Sequence, residues 1–169
     1  SDNIAIKISA INKSYKLNNN KSSVKALENI SLDVYKGEIM GIIGPNGSGK
    51  STLLKIISEI TAPDSGYIDI AGKVASILEV GTGFSPDLSG RRNIYLNGIL
   101  HGMKKNEIEN KFNSIVELFG FKDFLDTPVK QYSSGMYMRL AFAIVAHIEA
   151  DIYLFDEIRS VGDINSQKQ

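Results

Sequence analysis

The sequence predicts an α/β domain with a mostly parallel core sheet, an antiparallel β portion built from the N-terminal strands, and a helical insert from about residue 89 to 130. Three observations carry this. Two unbroken apolar runs, Glu38-Ile39-Met40-Gly41-Ile42-Ile43 and Ile152-Tyr153-Leu154-Phe155, read as strands buried on both faces, as parallel strands are. Apolar residues fall near alternate positions at Ile4, Ile6, Ile8 and Ile11, and again from Ala26 to Tyr35, which is the pattern of half-buried strands. Helical spacing then separates the two buried runs, most clearly from Lys104 to Phe119, where Ile108, Phe112, Ile115, Val116 and Phe119 form one stripe.

The remaining elements follow in order. Lys36-Gly37 is a turn, and Leu17 to Ser23, rich in Asn, Lys and Ser, is a surface loop. Lys50 to Glu59 has helical spacing at Leu53, Leu54 and Ile57, and Thr61 to Gly66 is a loop by its Pro, Asp and Gly. Tyr67 to Ile70 and Lys73 to Val80 read as two further strands. After the break at Gly81 to Pro86, Arg92 to His101 is a helix, and Ser133-Ser134-Gly135 opens another that runs to about Ala146. No internal repeat and no low-complexity tract interrupts the chain.

Composition narrows the classes of function. A length of 169 residues suits one globular domain, expected to span 1–169, with an ordinary apolar share of 43%. Lys plus Arg and Asp plus Glu both number 19, so no net field draws the protein to nucleic acid or anionic lipid. With no cysteine, disulfides, thiol catalysis and cysteine metal sites are excluded. No apolar run approaches the roughly 18 residues of a membrane span, and Ser1-Asp2-Asn3 opens no leader, so the expectation is a soluble cytoplasmic domain.

The chemistry is concentrated in Gly44-Pro45-Asn46-Gly47-Ser48-Gly49-Lys50-Ser51-Thr52, which fits G-x-x-x-x-G-K-[ST] between an apolar strand and a helix. Glycine backbones turn successive N–H groups toward phosphate oxygens, and the helix opening near Lys50 adds its positive dipole end. Lys50 reaches the β- and γ-phosphates and the Ser51 hydroxyl ligates Mg²⁺, so a nucleoside triphosphate, ATP with magnesium, is the expected ligand. The second apolar run ends in Asp156-Glu157. An acid there holds magnesium, and Glu157, pointing differently, suits the general base that polarises the attacking water.

Tyr132-Ser133-Ser134-Gly135-Met136, shortly before the acidic strand, resembles the signature of ABC-type ATPases, usually L-S-G-G-Q, with Ser133 and Gly135 matching. A hydroxyl and a glycine at a helix N-terminus form a second phosphate-binding device, although the same Ser133 also reads as a plain N-cap. The resemblance implies the phosphate-loop ATPase fold of that family and a head-to-tail homodimer, in which Ser133, Ser134 and Gly135 face the ATP held by the other subunit. It also implies that Tyr15 stacks on adenine, against the alternative of an ordinary strand-end tyrosine, and that Ser160-Val161-Gly162-Asp163 crosses the dimer interface, with Asp163 near the nucleotide. Where the family has a glutamine reading magnesium and the transporter contact, this chain has Leu78-Glu79-Val80-Gly81, and Glu79 is the candidate replacement.

The departures are informative. Leu78 to Phe84, Leu88-Ser89-Gly90-Arg91-Arg92-Asn93-Ile94-Tyr95-Leu96-Asn97-Gly98 and the Tyr132 to Met136 string are similar to the ATPase subunits that export lipid-linked polysaccharides such as O-antigen, capsule-like glycans or teichoic acid. That implies an integral membrane permease as partner, docked near Glu79 to Asn97, and a peripheral place on the cytoplasmic side of the plasma membrane. It implies no nucleic acid and no direct glycan contact. The family also carries a histidine about thirty residues beyond the acidic strand; His101 and His147 both precede Asp156, so the sequence reads as the front part of a longer ATPase. The rivals are a soluble ATPase of the same type acting on nucleic acid or the ribosome, a transporter ATPase for another substrate, and a non-catalytic nucleotide sensor.

Overall fold

The structure is a computed structural model that describes residues 3–18, 22–45 and 47–156. It divides into two compact units, Ser1–Val74 and Ala75–Gln169.

The first unit is built on an antiparallel sheet. Strand β1 (Ile4–Lys16) lies between β2 (Ser23–Tyr35) and β3 (Ser65–Ile70), giving the order β2-β1-β3. The near-alternation seen in the sequence is the cause: Ile6, Ile8 and Ile11 are buried while Lys7, Ser9 and Ala10 are not, with Ala5 buried beside Ile6 as an exception. The long β1–β2 hairpin is not regular. Its register shifts between Ile8 and Ile11 and again around Lys13, and Ala10 and Asn29 both take positive φ. Side chains replace the missing ladder bonds there. Ser31 Oγ accepts from the Ala10 N–H, Asn12 Oδ1 accepts from the Asn29 N–H, and Asn12 Nδ2 donates to the Ala10 carbonyl and to Ser65 Oγ. Helix α1 (Lys50–Ile57) buries Leu53, Leu54, Ile56 and Ile57.

The second unit is mainly helical. It holds α2 (Ile77–Thr82), α3 (Gly90–Leu100), α4 (Lys105–Phe119) and α5 (Ser134–His147), with single tight turns at Lys122–Phe124 and Val129–Gln131. Short strands β4 (Val74–Ser76) and β5 (Ile152–Leu154) pair as a two-stranded parallel sheet. The apolar stripe of α4 (Ile108, Ile115, Val116, Phe119) packs in one core with Leu140, Ile144 and Val145 of α5, Ile94 of α3, and Ile77 and Val80 of α2. Each such side chain contributes roughly 1.5–3 kcal/mol by leaving water.

Two expectations differ from what is observed. Lys73 to Val80 forms only the three-residue β4, after which α2 begins. Ser76 Oγ accepts from the Leu78 N–H as N-cap, and Ile77 and Val80, one turn apart, are both buried. Glu38 to Ile43 forms no strand, and Ile39 and Ile43 are 99% and 97% exposed. A two-sided apolar strand exists only where neighbours pair with its edges, and among the described residues no strand pairs with this run.

Candidate functional site

The glycine loop sits in the first unit, between the exposed run and α1. Gly47 and Gly49 have φ of 84° and 95°, the left-handed region that glycine adopts without strain. Ser48 N–H donates to the Pro45 carbonyl at 3.2 Å, and Lys50 Nζ donates to the Gly44 carbonyl, so the lysine arches back over the loop. Helix α1 has Gly49 at its N-cap, no side-chain cap and no acid in its first turn. Its leading amides therefore keep their capacity for an anion. Ser51 is exposed and Thr52 half-buried in the first turn.

The hairpin register brings Tyr15 to the same neighbourhood. A Cβ on Gly49 would lie 2.9 Å from Leu27 Cδ2 and inside contact distance of the Ala26 carbonyl oxygen, so the loop rests directly on β2. Across the hairpin, Lys13 pairs with Leu27, Ser14 with Lys25 and Tyr15 with Val24. The aromatic ring thus stands about two or three residues, roughly 7–10 Å along the strand, from the point where the loop touches the sheet. Tyr15 is 41% exposed, as a stacking platform requires.

The other candidates lie in the second unit. Glu79 falls in the first turn of α2, half-buried, and not at a strand end. Ser133 is the N-cap of α5, its hydroxyl accepting from the Met136 N–H at 3.2 Å, so the plain capping role is realised. The exposed Ser134 and half-buried Gly135 follow it at the helix start. Tyr132 is fixed below them, its hydroxyl donating to the Phe124 carbonyl at 2.6 Å and its ring stacked on Phe119. Burial raises the Tyr132 phenol above its ordinary range, which keeps it a donor. Asp156 is half-buried just beyond β5, where Ile152 and Leu154 are buried and Phe155 packs on Phe142. Asn46, Glu157 and Asp163 lie outside the described residues.

Several residues escaped the sequence reading. Lys13 and Asp64 flank Tyr15: Lys13 Nζ stands over the Tyr15 ring and 3.4 Å from Asp64 Oδ1. Their only sequence signal is weak, Lys13 and Tyr15 sharing one face of a strand and Asp64 standing in a Pro-Asp-Ser-Gly turn. Asn93, fully buried, binds the 85–89 loop, and Tyr137 Oη of α5 donates to the Gly81 carbonyl at the end of α2.

The chemistry of each unit's residues can be set against the expected magnesium–triphosphate ligand separately. In the first unit Ser51 carries a hard oxygen donor of the kind magnesium prefers, and in the second Asp156 carries another. Among the described residues no group of three acidic or histidine side chains gathers as a preformed cage. The α1 N-terminus, without a side-chain cap, and Lys50 supply a positive end in the first unit.

Comparison with known proteins identifies the family. The family model described as ABC transporter matches residues 27–160. The O-antigen export system ATP-binding protein RfbB of Myxococcus xanthus is 49% identical over 148 residues, covering 88% of this chain and 34% of that protein. The teichoic acids export ATP-binding protein TagH of Enterococcus faecalis is 50% identical over 138 residues, covering 82% and 31%. An ABC transporter protein of Aeromonas salmonicida is 44% identical over 154 residues, covering 89% and 50%. The chain spans between about a third and a half of the length of these relatives. Among solved structures, a dimeric bacterial ABC transporter cassette matches with a TM-score of 0.71 at 25% identity, covering 84% of this chain and 69% of that one. A dimeric cassette in a post-hydrolysis state with ADP and Pi matches with the same TM-score and coverage at 24% identity. The glycine loop under α1, the helix opened by Ser133 and the acid beyond β5 therefore stand in an α/β cassette fold, and the chain belongs to the ABC transporter family.

Proposed function

We propose that this chain is the ATP-binding and ATP-hydrolysing part of a subunit that powers export of a lipid-linked polysaccharide, such as O-antigen, a capsule-like glycan or teichoic acid. The observation that carries the reading is the 49–50% identity, along 82–88% of the chain, to ATP-binding proteins named for O-antigen and teichoic acid export.

In this reading the loop amides and the α1 N-terminus bind the triphosphate. Lys50 exchanges the Gly44 carbonyl for phosphate oxygens, and Tyr15 stacks on the adenine. Ser51 and Asp156 hold magnesium, with Glu79 as a further candidate ligand. When bound, magnesium neutralises charge on the phosphate oxygens. Glu157 accepts the proton of the attacking water. Ser133, Ser134 and Gly135 close on the ATP of a second copy, and Asp163 stands at that interface, so binding shuts a homodimer and hydrolysis opens it. The mechanical cycle drives an integral membrane permease from the cytoplasmic face of the membrane, and this domain touches neither glycan nor nucleic acid. Among the described residues no helix is long and apolar enough to cross a membrane.

The test uses the full-length protein reconstituted with its permease in vesicles carrying the lipid-linked glycan. ATP turnover and glycan export are expected together in the wild type. Glu157→Gln is expected to retain ATP affinity and lose both. Retained turnover sinks Glu157 as the base; turnover without export of any of the three glycan types sinks the transport assignment.

A further inference from the structure

We infer that Lys13 and Asp64 form a positioning pair that fixes the Tyr15 ring as a platform for the nucleotide base and so sets part of the affinity for ATP. The inference rests on the assignment of Tyr15 to the base in the proposed function, and goes beyond it by naming the residues that prepare the ring.

Lys13 and Tyr15 share one face of β1, two residues apart. The Lys13 ammonium stands over the ring, 5.5 Å from its centroid, and its side chain is only 17% exposed. Long lysine side chains on a surface strand ordinarily extend into water; this one is held. Asp64 holds it from the turn before β3, with Oδ1 3.4 Å from Lys13 Nζ. The same carboxylate accepts from the Ser14 N–H at 2.7 Å through Oδ2, while the Asp64 N–H donates to the Asn12 carbonyl at 2.8 Å. One aspartate therefore clamps the backbone on both sides of Lys13, and with it the residue just before Tyr15.

This stretch needs such a clamp because the strand is irregular there. The β1–β2 register shifts on either side of Lys13, so the ladder alone does not determine where the ring points. The Asp64 contacts supply the missing constraint. The cation has a second effect. It draws on the π density of one ring face, and the polarised ring then stacks more strongly with an electron-rich purine on its other face. The ring reads a π face and no base edge, so the pair raises affinity for nucleotides generally over bare phosphates.

Binding of Mg·ATP and of magnesium with inorganic tripolyphosphate, which has the phosphates and no base, separates this from other roles. Both are measured by calorimetry on the full-length protein. Lys13→Met is expected to lower ATP affinity about three-fold, the size of one half-exposed cation–π contact, and to leave tripolyphosphate affinity unchanged. Asp64→Asn is expected to do the same more weakly, Lys13→Arg to restore ATP affinity, and Lys13→Met to have no effect in a Tyr15→Ala background. Equal losses for both ligands overturn the inference, since Lys13 then acts on phosphate or on the fold. A Lys13→Met loss that persists without the Tyr15 ring also overturns it. If Tyr15→Ala leaves ATP affinity intact, the stacking assignment itself falls and takes the pair with it. If Tyr15→Ala weakens ATP and Lys13→Met does not, only the pair fails.

Discussion

Gly49 lies so close to β2 that a Cβ on it would stand 2.9 Å from Leu27 Cδ2 and within the contact radius of the Ala26 carbonyl oxygen. Its φ of 95° adds a second constraint, since an L side chain in that region costs about 1–2 kcal/mol. Neither neighbour yields cheaply, because one is backbone in a strand. Gly49→Ala is therefore expected to lift the loop off the sheet and tilt the start of α1. ATP affinity should fall by at least about ten-fold, the equivalent of roughly 1.4 kcal/mol, with a lower thermal midpoint. Calorimetry and thermal unfolding check both, and a variant that binds as the wild type does would show that the loop tolerates the displacement.

Lys50 makes a different prediction because its present partner is a carbonyl. Its Nζ donates to Gly44, so the loop is closed on itself by the group that phosphate has to recruit. Lys50→Met keeps the stem and removes the charge. The loss of one or two charge-assisted hydrogen bonds, each about 1.5–3 kcal/mol, is expected to reduce ATP affinity by ten-fold or more. The hairpin is unaffected, since neither β1 nor β2 depends on the ammonium. A direct binding titration decides it, with circular dichroism as the fold control.

How much of this was legible from residues alone follows from how local each feature is. The glycine loop, the N-cap Ser133 and the α4 stripe were all readable, because each is fixed by neighbours within a turn or two. Lys73 to Val80 misled because it is rich in β-branched and apolar residues over a stretch too short for their spacing to separate strand from helix. The Ser76 cap then decides for helix. The exposed Glu38 to Ile43 run shows the other limit: apolar content marks a strand, but the strand itself needs partners contributed by distant sequence. Lys13 was invisible for the same reason. Its role depends on Asp64, fifty-one residues away, and on a register that shifts beside it. Asp156 was placed by its apolar strand, whereas Glu157 and Asp163 lie outside the described residues.

Asn93 is the most heavily bonded buried polar side chain described. Its Oδ1 accepts from the Ser85 N–H at 2.8 Å, and its Nδ2 serves the Ser85, Leu88 and Ser89 carbonyls at 3.0–3.1 Å. Together these hold the connection from α2 to α3. Asn93→Ala strands buried backbone groups and is expected to cost roughly 2–3 kcal/mol, or about 4–12 °C in thermal midpoint for a domain of this size. Asn97, one turn on, is the contrast. Its Nδ2 donates to the Asn93 carbonyl at 2.9 Å, and among the described residues its buried Oδ1 has no hydrogen-bond partner. Asn97→Ala removes an unsatisfied acceptor along with one bond and is expected to be the milder change. Unfolding both variants side by side tests the ranking, and equal losses would show that packing and not hydrogen bonding sets the cost.

Asp64 ties stability to pH. Its carboxyl is held below the ordinary aspartate value of 3.8, chiefly by the Ser14 N–H it accepts from, with the Lys13 ammonium adding to the effect and partial burial opposing it. A carboxylate whose folded-state value is depressed stabilises the protein above its unfolded value, and that contribution disappears as pH falls through the folded value. The window therefore opens near pH 4 and extends downward, and nothing is expected from this group between pH 5 and 8. Asp64→Asn keeps the amide-side geometry and cannot titrate. The variant is expected to be slightly less stable than the wild type at neutral pH, and the gap should close as pH drops below about 4. Chemical unfolding across pH 2.5–6 on both proteins reads this directly. A gap that stays constant through that range would mean the Ser14 and Lys13 contacts do not depend on the charge of Asp64, which would also remove the electrostatic hold on Lys13 over the Tyr15 ring.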